Sequence, residues 1–297
     1  MQKKIRSLLQ EKTAVLLAHN YQPPEIQDLA DLCGDSLELS IKAARTEAEI
    51  IVFCGVHFMA ETASILSPQK TVLLPRSDAG CPMADMITPV ALRERLASLG
   101  TMPVVTYVNS PAAVKALSTI CCTSANAVKV VNSLPEQELL MTPDKNLAQY
   151  TALQTGKQIH FWQGHCPFHD RLTPEEVETA RRAHPGAVFM AHPECRPEII
   201  ALADVVTSTS GMLRYAAESS ADAFIVGTEV GLLHPLRKAN PQKTFYPASE
   251  KMLCRDMKKI TPEDVLHCLE TRAGEVKVPE EIRQPALQAV ERMLALS

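Results

Sequence analysis

The chain repeats one pattern three times, and this repeat limits its fold more than any other feature. Three first strands, each ending in polar residues, can be laid over one another: VLLAHNY to Tyr21, VVTYVNS to Ser110 and AVFMAHPE to Glu194. A small hydroxyl residue then opens a helical pattern, 17 residues after His19, 15 after Asn109 and 17 after His192; these are Ser36, Ser124 and Thr209. A second strand follows in each unit (EIIVFCG, ELLMTPD, AFIVGTE), and a third short apolar run leads to a cysteine (TVLLPRSDAGCP, QIHFWQGHCP, TFYPASEKMLC). From the first-strand landmark to the cysteine the count is 62, 57 and 62, so Cys81, Cys166 and Cys254 stand 85 and 88 residues apart. Self-similarity at a fixed period means that each unit is one supersecondary block.

Strands alternating with helices at short intervals predict parallel α/β layers. Working residues in such folds gather at the carboxyl ends of strands. His19, Tyr21, Tyr107, Asn109, His192 and Glu194 all fall at such ends. The unit boundaries are expected after Met83, His169 and Met257, giving 1–83, 84–169 and 170–257. Residues 258–297 read as two helices that return to the first unit, with Ile282, Leu287, Val290, Met293 and Leu294 as the buried stripe.

Composition excludes several classes. A formal charge of −4 without a basic run argues against nucleic acid as a partner. No apolar stretch is long enough to span a bilayer, and MQKKIRSLLQEK lacks the apolar core of a signal peptide, so a soluble cytoplasmic chain without a membrane partner is expected. Nine irregularly spaced cysteines in such a chain point to metal or catalytic use for some of them rather than to disulfides.

Cys33, Cys54, Cys121 and Cys268 sit among apolar neighbours and read as core, Cys122 is ambiguous, and Cys195 has no counterpart in the other units. Cys81 and Cys166 are followed by proline, which sets a rigid turn. Three thiolates suit zinc or an iron–sulfur cluster. CxxC spacing, usual for local zinc sites, is missing. One ligand from each unit suits a cubane cluster whose fourth iron stays open as a Lewis acid, as in hydro-lyase chemistry. A nicotinamide dehydrogenase lacks its GxGxxG here. A zinc-stabilised scaffold leaves the polar strand ends without a purpose, and an aconitase-like dehydratase acting on a small carboxylate is the nearest alternative enzyme.

AHNYQPPEIQDLAD, GDSLELS, CPMAD, YVNSPAAVKAL, CTSANAV, GHCP, HPEC, TSTSGM and GTEVGLLH occur in this order from about residue 14 to residue 258. Together they resemble the quinolinate synthase family of NAD biosynthesis. The resemblance implies three similar three-layer α/β domains with parallel sheets, related by a pseudo-threefold axis, with the active site at their junction. It also implies condensation of iminoaspartate with dihydroxyacetone phosphate to quinolinate, phosphate and two waters, a 4Fe-4S cluster on Cys81, Cys166 and Cys254, and an upstream aspartate-oxidising enzyme as a functional link. Carried over, the substrate pocket maps to His19, Asp35 and Ser36, to Tyr107, Val108, Asn109 and Ser124, and to His192, Pro193, Glu194 and Thr209. Some members carry CxxCxxC at the last ligand as a redox switch; KMLCRDM has only Cys254.

Both implied substrates are anionic. If Ser36, Ser124 and Thr209 open helices, their hydroxyls and free backbone N–H groups make anion sites. His19 and His192 are expected to add donors that become cationic at modest cost. Glu194 is the candidate acid/base beside His192, Tyr21 and Tyr107 are candidates to polarise a carbonyl or hydroxyl, and Asn109 is a partner for a carboxylate or an enamine nitrogen.

Overall fold

Three parallel sheets of four strands carry the chain, and each has the same internal order. The computed structural model describes residues 1–296. The first sheet holds β1 (Ala14–His19), β2 (Leu32–Gly34), β3 (Ile50–Cys54) and β4 (Thr71–Leu73) in the order β2-β1-β3-β4. The second holds β5 (Val104–Tyr107), β6 (Ile120–Cys122), β7 (Glu138–Thr142) and β8 (Gln158–Phe161), ordered β6-β5-β7-β8. The third holds β9 (Val188–Ala191), β10 (Val205–Val206), β11 (Ala223–Gly227) and β12 (Thr244–Pro247), ordered β10-β9-β11-β12. The sequence predicts three strands per unit. The fourth, β2, β6 or β10, is an edge strand of two or three residues, too short to show any periodicity.

The central pairs explain why these segments are strands. Ile50–Cys54 is buried along its whole length, as an unbroken apolar run covered on both faces by helices should be. It pairs with β1 in the register Ala14↔Ile50 to Ala18↔Cys54; Val104↔Leu140 and Phe224↔Val188 are the corresponding pairs in the other two sheets. Capping boxes start several covering helices, with Asp35 and Glu38 before 36–45, Thr173 and Glu176 before 174–183, and Thr261 and Asp264 before 262–271. The largest apolar cluster runs through the first and second sheets into the third, and a smaller one around Leu172, Phe189, Cys195, Ile225 and Met252 lies in the third unit.

The C-terminal helices divide their contacts. Residues 262–271 pack on the N-terminal helix 2–11, whereas 280–294 lies against β6 and the helices 112–115 and 57–66, across the first and second units. Ala286, Ala289, Val290 and Met293 are its buried face, while Ile282, Leu287 and Leu294 are half-buried. Among the described residues no helix is long and apolar enough to cross a membrane.

Candidate active site

One cleft, with about 700 Å³ of empty space, collects residues from the carboxyl ends of all three sheets. His19, Tyr21, Asp35 and Ser36 from the first unit, Tyr107, Asn109 and Ser124 from the second, and His192, Glu194 and Thr209 from the third line it, together with Cys81, Cys166 and Cys254. Val108 and Pro193 do not. Both are buried, Val108 in the bend that follows β5 and Pro193 in the turn closed by the Cys195 N–H on the His192 carbonyl. Cys195 is core, with its thiol toward the Gly227 carbonyl, and Cys121 and Cys122 are buried on β6.

Each of the three cysteines stands one to three residues before a short helical turn: 84–86, 167–170 or 256–258. Backbone N–H groups two and three residues on are directed at each sulfur, from Met83 and Ala84, from Phe168 and His169, and from Asp256 and Met257. Burial is the larger influence and pushes the Cys81 thiol up to about 12, the Cys254 thiol to about 11 and the Cys166 thiol well above its ordinary range. Three soft donors in one cleft, each poised over a pair of N–H groups yet costly to ionise without a counter-cation, fit a metal group bound through three sulfurs. His169 Nδ1 lies 3.2 Å from Cys166 Sγ, and Cys166, His169 and Glu194 offer ligand atoms within 4.8 Å of one another.

Glu194 is 3% exposed, not a solvated loop residue, and it lies at the centre of a chain of short contacts. The Tyr107 hydroxyl donates to Oε1 at 2.6 Å, and His169 Nδ1 is 2.7 Å from Oε2. His169 Nε2 is 2.8 Å from Thr228 Oγ1, which is 2.5 Å from the Tyr21 hydroxyl. Burial alone favours a neutral Glu194, but His192, His169 and the hydrogen bonds from His169 and Tyr107 outweigh it and keep the carboxyl at about 2. Burial, then the Glu194 charge, raises both tyrosines well above 10. An ionised Glu194 accepts on both oxygens, from the Tyr107 hydroxyl and from His169 Nδ1–H, and the Thr228 hydroxyl joins His169 Nε2 to the Tyr21 hydroxyl.

The expected cationic histidines are a correction. The Tyr21 N–H donates to His19 Nδ1 at 3.1 Å, and the Glu194 N–H to His192 Nδ1 at 3.3 Å, so in the first and third units the same ring nitrogen is already an acceptor. Burial, the main cause, lowers both imidazoles to about 3. They are neutral donors through Nε2, and that of His192 lies 3.2 Å from Ser124 Oγ.

The hydroxyl residues also differ from expectation. Asp35 and Ser208 cap the helices 36–45 and 209–218, so Ser36 and Thr209 are their first residues, and Ser124 precedes the helix 127–133 in a loop. Thr209 Oγ1 accepts from Asn20, and Asp35 accepts from Ser208 as well as from Leu37 and Glu38, which joins the two helix starts. The Asn109 Oδ1 is buried without a protein partner at the cleft wall, a vacancy for a ligand donor.

Sequence reasoning missed His169, Thr228 and Glu229. His169 was visible as the histidine three residues after Cys166 in CPFH, one helical turn on. Thr228 and Glu229 directly follow β11, whereas the polar landmarks of the repeat lie at the ends of β1, β5 and β9. Glu229 is 1% exposed and pairs with Lys258 at 3.0 Å.

The family described as "Quinolinate synthetase A protein" matches residues 3–295. The chain is 58% identical over 292 residues to a protein named quinolinate synthase from Geotalea uraniireducens, covering 98% of this chain and 96% of that one. It is 57% identical over 296 residues to the quinolinate synthase of Geobacter metallireducens, covering 100% and 97%. With that of Methanoregula boonei it is 54% identical over 296 residues, covering 100% and 98%.

Proposed function

We infer, from the premise that this chain belongs to the quinolinate synthetase A family, that it acts as a quinolinate synthase, a transferase that joins iminoaspartate to dihydroxyacetone phosphate. Quinolinate, one phosphate and two waters balance the two substrates, with one carbon–carbon and one carbon–nitrogen link formed. The observation that carries the reading is the single cleft where three cysteines meet the Glu194–His169–Thr228 chain. The aconitase-like alternative is not favoured, since the relatives that match nearly the whole chain are named quinolinate synthase.

Cys81, Cys166 and Cys254 would hold the 4Fe-4S cluster. When bound, it would supply Lewis-acid chemistry toward a substrate oxygen. The remaining work belongs to the protein. The Nε2–H groups of His19 and His192 and the hydroxyls of Ser36, Ser124 and Thr209 bind carboxylate and phosphate oxygens without a histidine charge. Asn109 Oδ1, otherwise unpartnered, accepts from the imino or enamine nitrogen.

Glu194 is the base. Proton removal at carbon runs through the Tyr107 hydroxyl, which passes its proton to Glu194 Oε1 as it takes one from the substrate. Free tyrosinate is too costly in this cleft to be a resting state, so the two transfers are concerted. The proton returns from Glu194 to a departing hydroxide. His169, held by Thr228, keeps Oε2 supplied with a hydrogen bond throughout. Burial of the network excludes water that would hydrolyse the imine.

Iron and acid-labile sulfide per chain, measured on protein purified without oxygen and followed by quinolinate formation from the two substrates, test the proposal. About four of each with turnover is the expected result. Turnover with zinc alone, or none after anaerobic reconstitution, would overturn it.

A further inference from the structure

The three cysteine loops are docked by one repeated backbone bond. Two residues past the third strand in sequence order of each sheet stands no bulky loop but a fixed position: Val56 in the first unit counts from β3, Asp144 from β7 and Glu229 from β11. The next residue's N–H donates to the carbonyl two residues before the cysteine, His57 to Ala79 at 2.9 Å, Lys145 to Gly164 at 2.8 Å and Val230 to Met252 at 3.0 Å. The side chain at the position itself then differs between units.

In the second unit Asp144 Oδ2 accepts the Cys166 N–H at 3.1 Å, and in the third Glu229 Oε1 accepts the Cys254 N–H at 3.1 Å. Both carboxylates are 1% exposed. Their other oxygens are engaged as well, Asp144 Oδ1 by Leu147 N–H at 2.7 Å and Glu229 Oε2 by Gly231 N–H at 2.8 Å. Val56 has no acceptor to offer. The Cys81 loop is instead touched from another unit, where Asp256 Oδ1 accepts the Gly80 N–H at 3.3 Å.

Buried acids are costly, and a backbone loop can be closed without them. Two acids at the matching position, each spending one oxygen on the cysteine amide in addition to the cap or ion pair it also makes, hold the cysteine backbone beyond what the repeated loop bond supplies. We propose that Asp144 and Glu229 are a matched pair of positioning residues that lock the backbones of Cys166 and Cys254 for metal binding, whereas the Cys81 loop has, besides its backbone bond, a side-chain lock that comes from another unit. This rests on the reading that the three cysteines bind the iron–sulfur cluster.

Asp144→Asn and Glu229→Gln are selective probes. Each amide keeps one acceptor oxygen for the neighbouring N–H and presents an NH₂ donor to the cysteine N–H; Asp144→Asn thus loses that bond and keeps the helix cap, whereas Glu229→Gln also gives up the charge paired with Lys258. The full-length chains are loaded with iron and sulfide without oxygen and challenged with a ferrous chelator, with Cys166→Ser as reference. Melting of the metal-free chains and the electron paramagnetic resonance spectrum of the reduced loaded forms are recorded in parallel. Roughly tenfold faster iron loss, the factor carried by a charge-assisted hydrogen bond, is expected in both variants. The spectrum should also change, and the iron loss should exceed what any drop in metal-free melting accounts for. Wild-type iron retention and spectrum in both, or iron loss that only follows a matching drop in metal-free melting, would overturn the proposal. If Cys166→Ser also keeps wild-type iron, the cluster reading itself is at fault.

Discussion

Glu194→Gln is the sharpest test of the chemistry. The carboxylate accepts from Tyr107 at 2.6 Å on one oxygen and from His169 at 2.7 Å on the other. Glutamine has the same shape but one acceptor and one donor. If its oxygen keeps Tyr107, its NH₂ faces His169 Nδ1, so Nδ1 must accept and the imidazole carries its proton on Nε2, donating to Thr228. The polar contacts are then preserved and the cleft stays filled, but the base is gone. A positioned acid or base is worth 10²–10⁴ in rate, so kcat should fall by about that factor, on the order of 3–5 kcal/mol of barrier. Glu194 is read as a proton carrier and not as a substrate clamp, so KM should change by less than about threefold. The assay is quinolinate formation under anaerobic steady-state conditions on protein shown to carry wild-type iron. A kcat within threefold of wild type at full iron loading would refute the assignment.

Three other outcomes are expected. His19 and His192 have folded pKa values lowered to about 3 from 6.5, so below pH 6.5 the unfolded chain binds protons that the native one refuses. Stability of the metal-free chain should therefore fall as pH drops from 6.5 toward 3, by up to about 2.7 kcal/mol per unit for two protons, and His19→Asn should halve the slope in urea titrations. Thr228→Val removes the link between Tyr21 and His169 and leaves two buried polar groups unpaired, which should lower both kcat and urea midpoint, the latter by about 1–3 kcal/mol; a variant with wild-type kcat would exclude Thr228 from the relay. At Gly227 a Cβ would lie 2.7 Å from the Phe189 ring and 2.9 Å from the Met190 carbonyl, so Gly227→Ala should destabilise by about 1–3 kcal/mol and displace Thr228, visible as a lower melting temperature with reduced turnover.

The repeat was legible because its central strands are long apolar runs with abrupt polar ends, as in β3 and β11. The edge strands were not, since Val205–Val206 contains no period to read. Thirteen of the site expectations line the cleft because strand ends in parallel sheets face one side. The charge state of the histidines was beyond the sequence, which cannot show that an amide two residues on occupies Nδ1. Likewise GDS and STS do not reveal which hydroxyl or carboxylate caps the helix and which is left over for a ligand; Asp35 and Ser208 take the caps. His169 was missed because its role comes from reach, across to Thr228 of the third unit, rather than from its neighbours in sequence.

The wide spacing of the three cysteines has a consequence for how the protein matures. Sites with closely spaced ligands can capture a metal on a short peptide before any domain exists. Here residues 81, 166 and 254 each sit on a different sheet's loop, so no fragment lacking one unit presents the full triad. If the three cysteines hold the proposed cluster, metal retention reports on the docking of the whole chain, and a copy with one misdocked unit would stay colourless however well its other two units had folded.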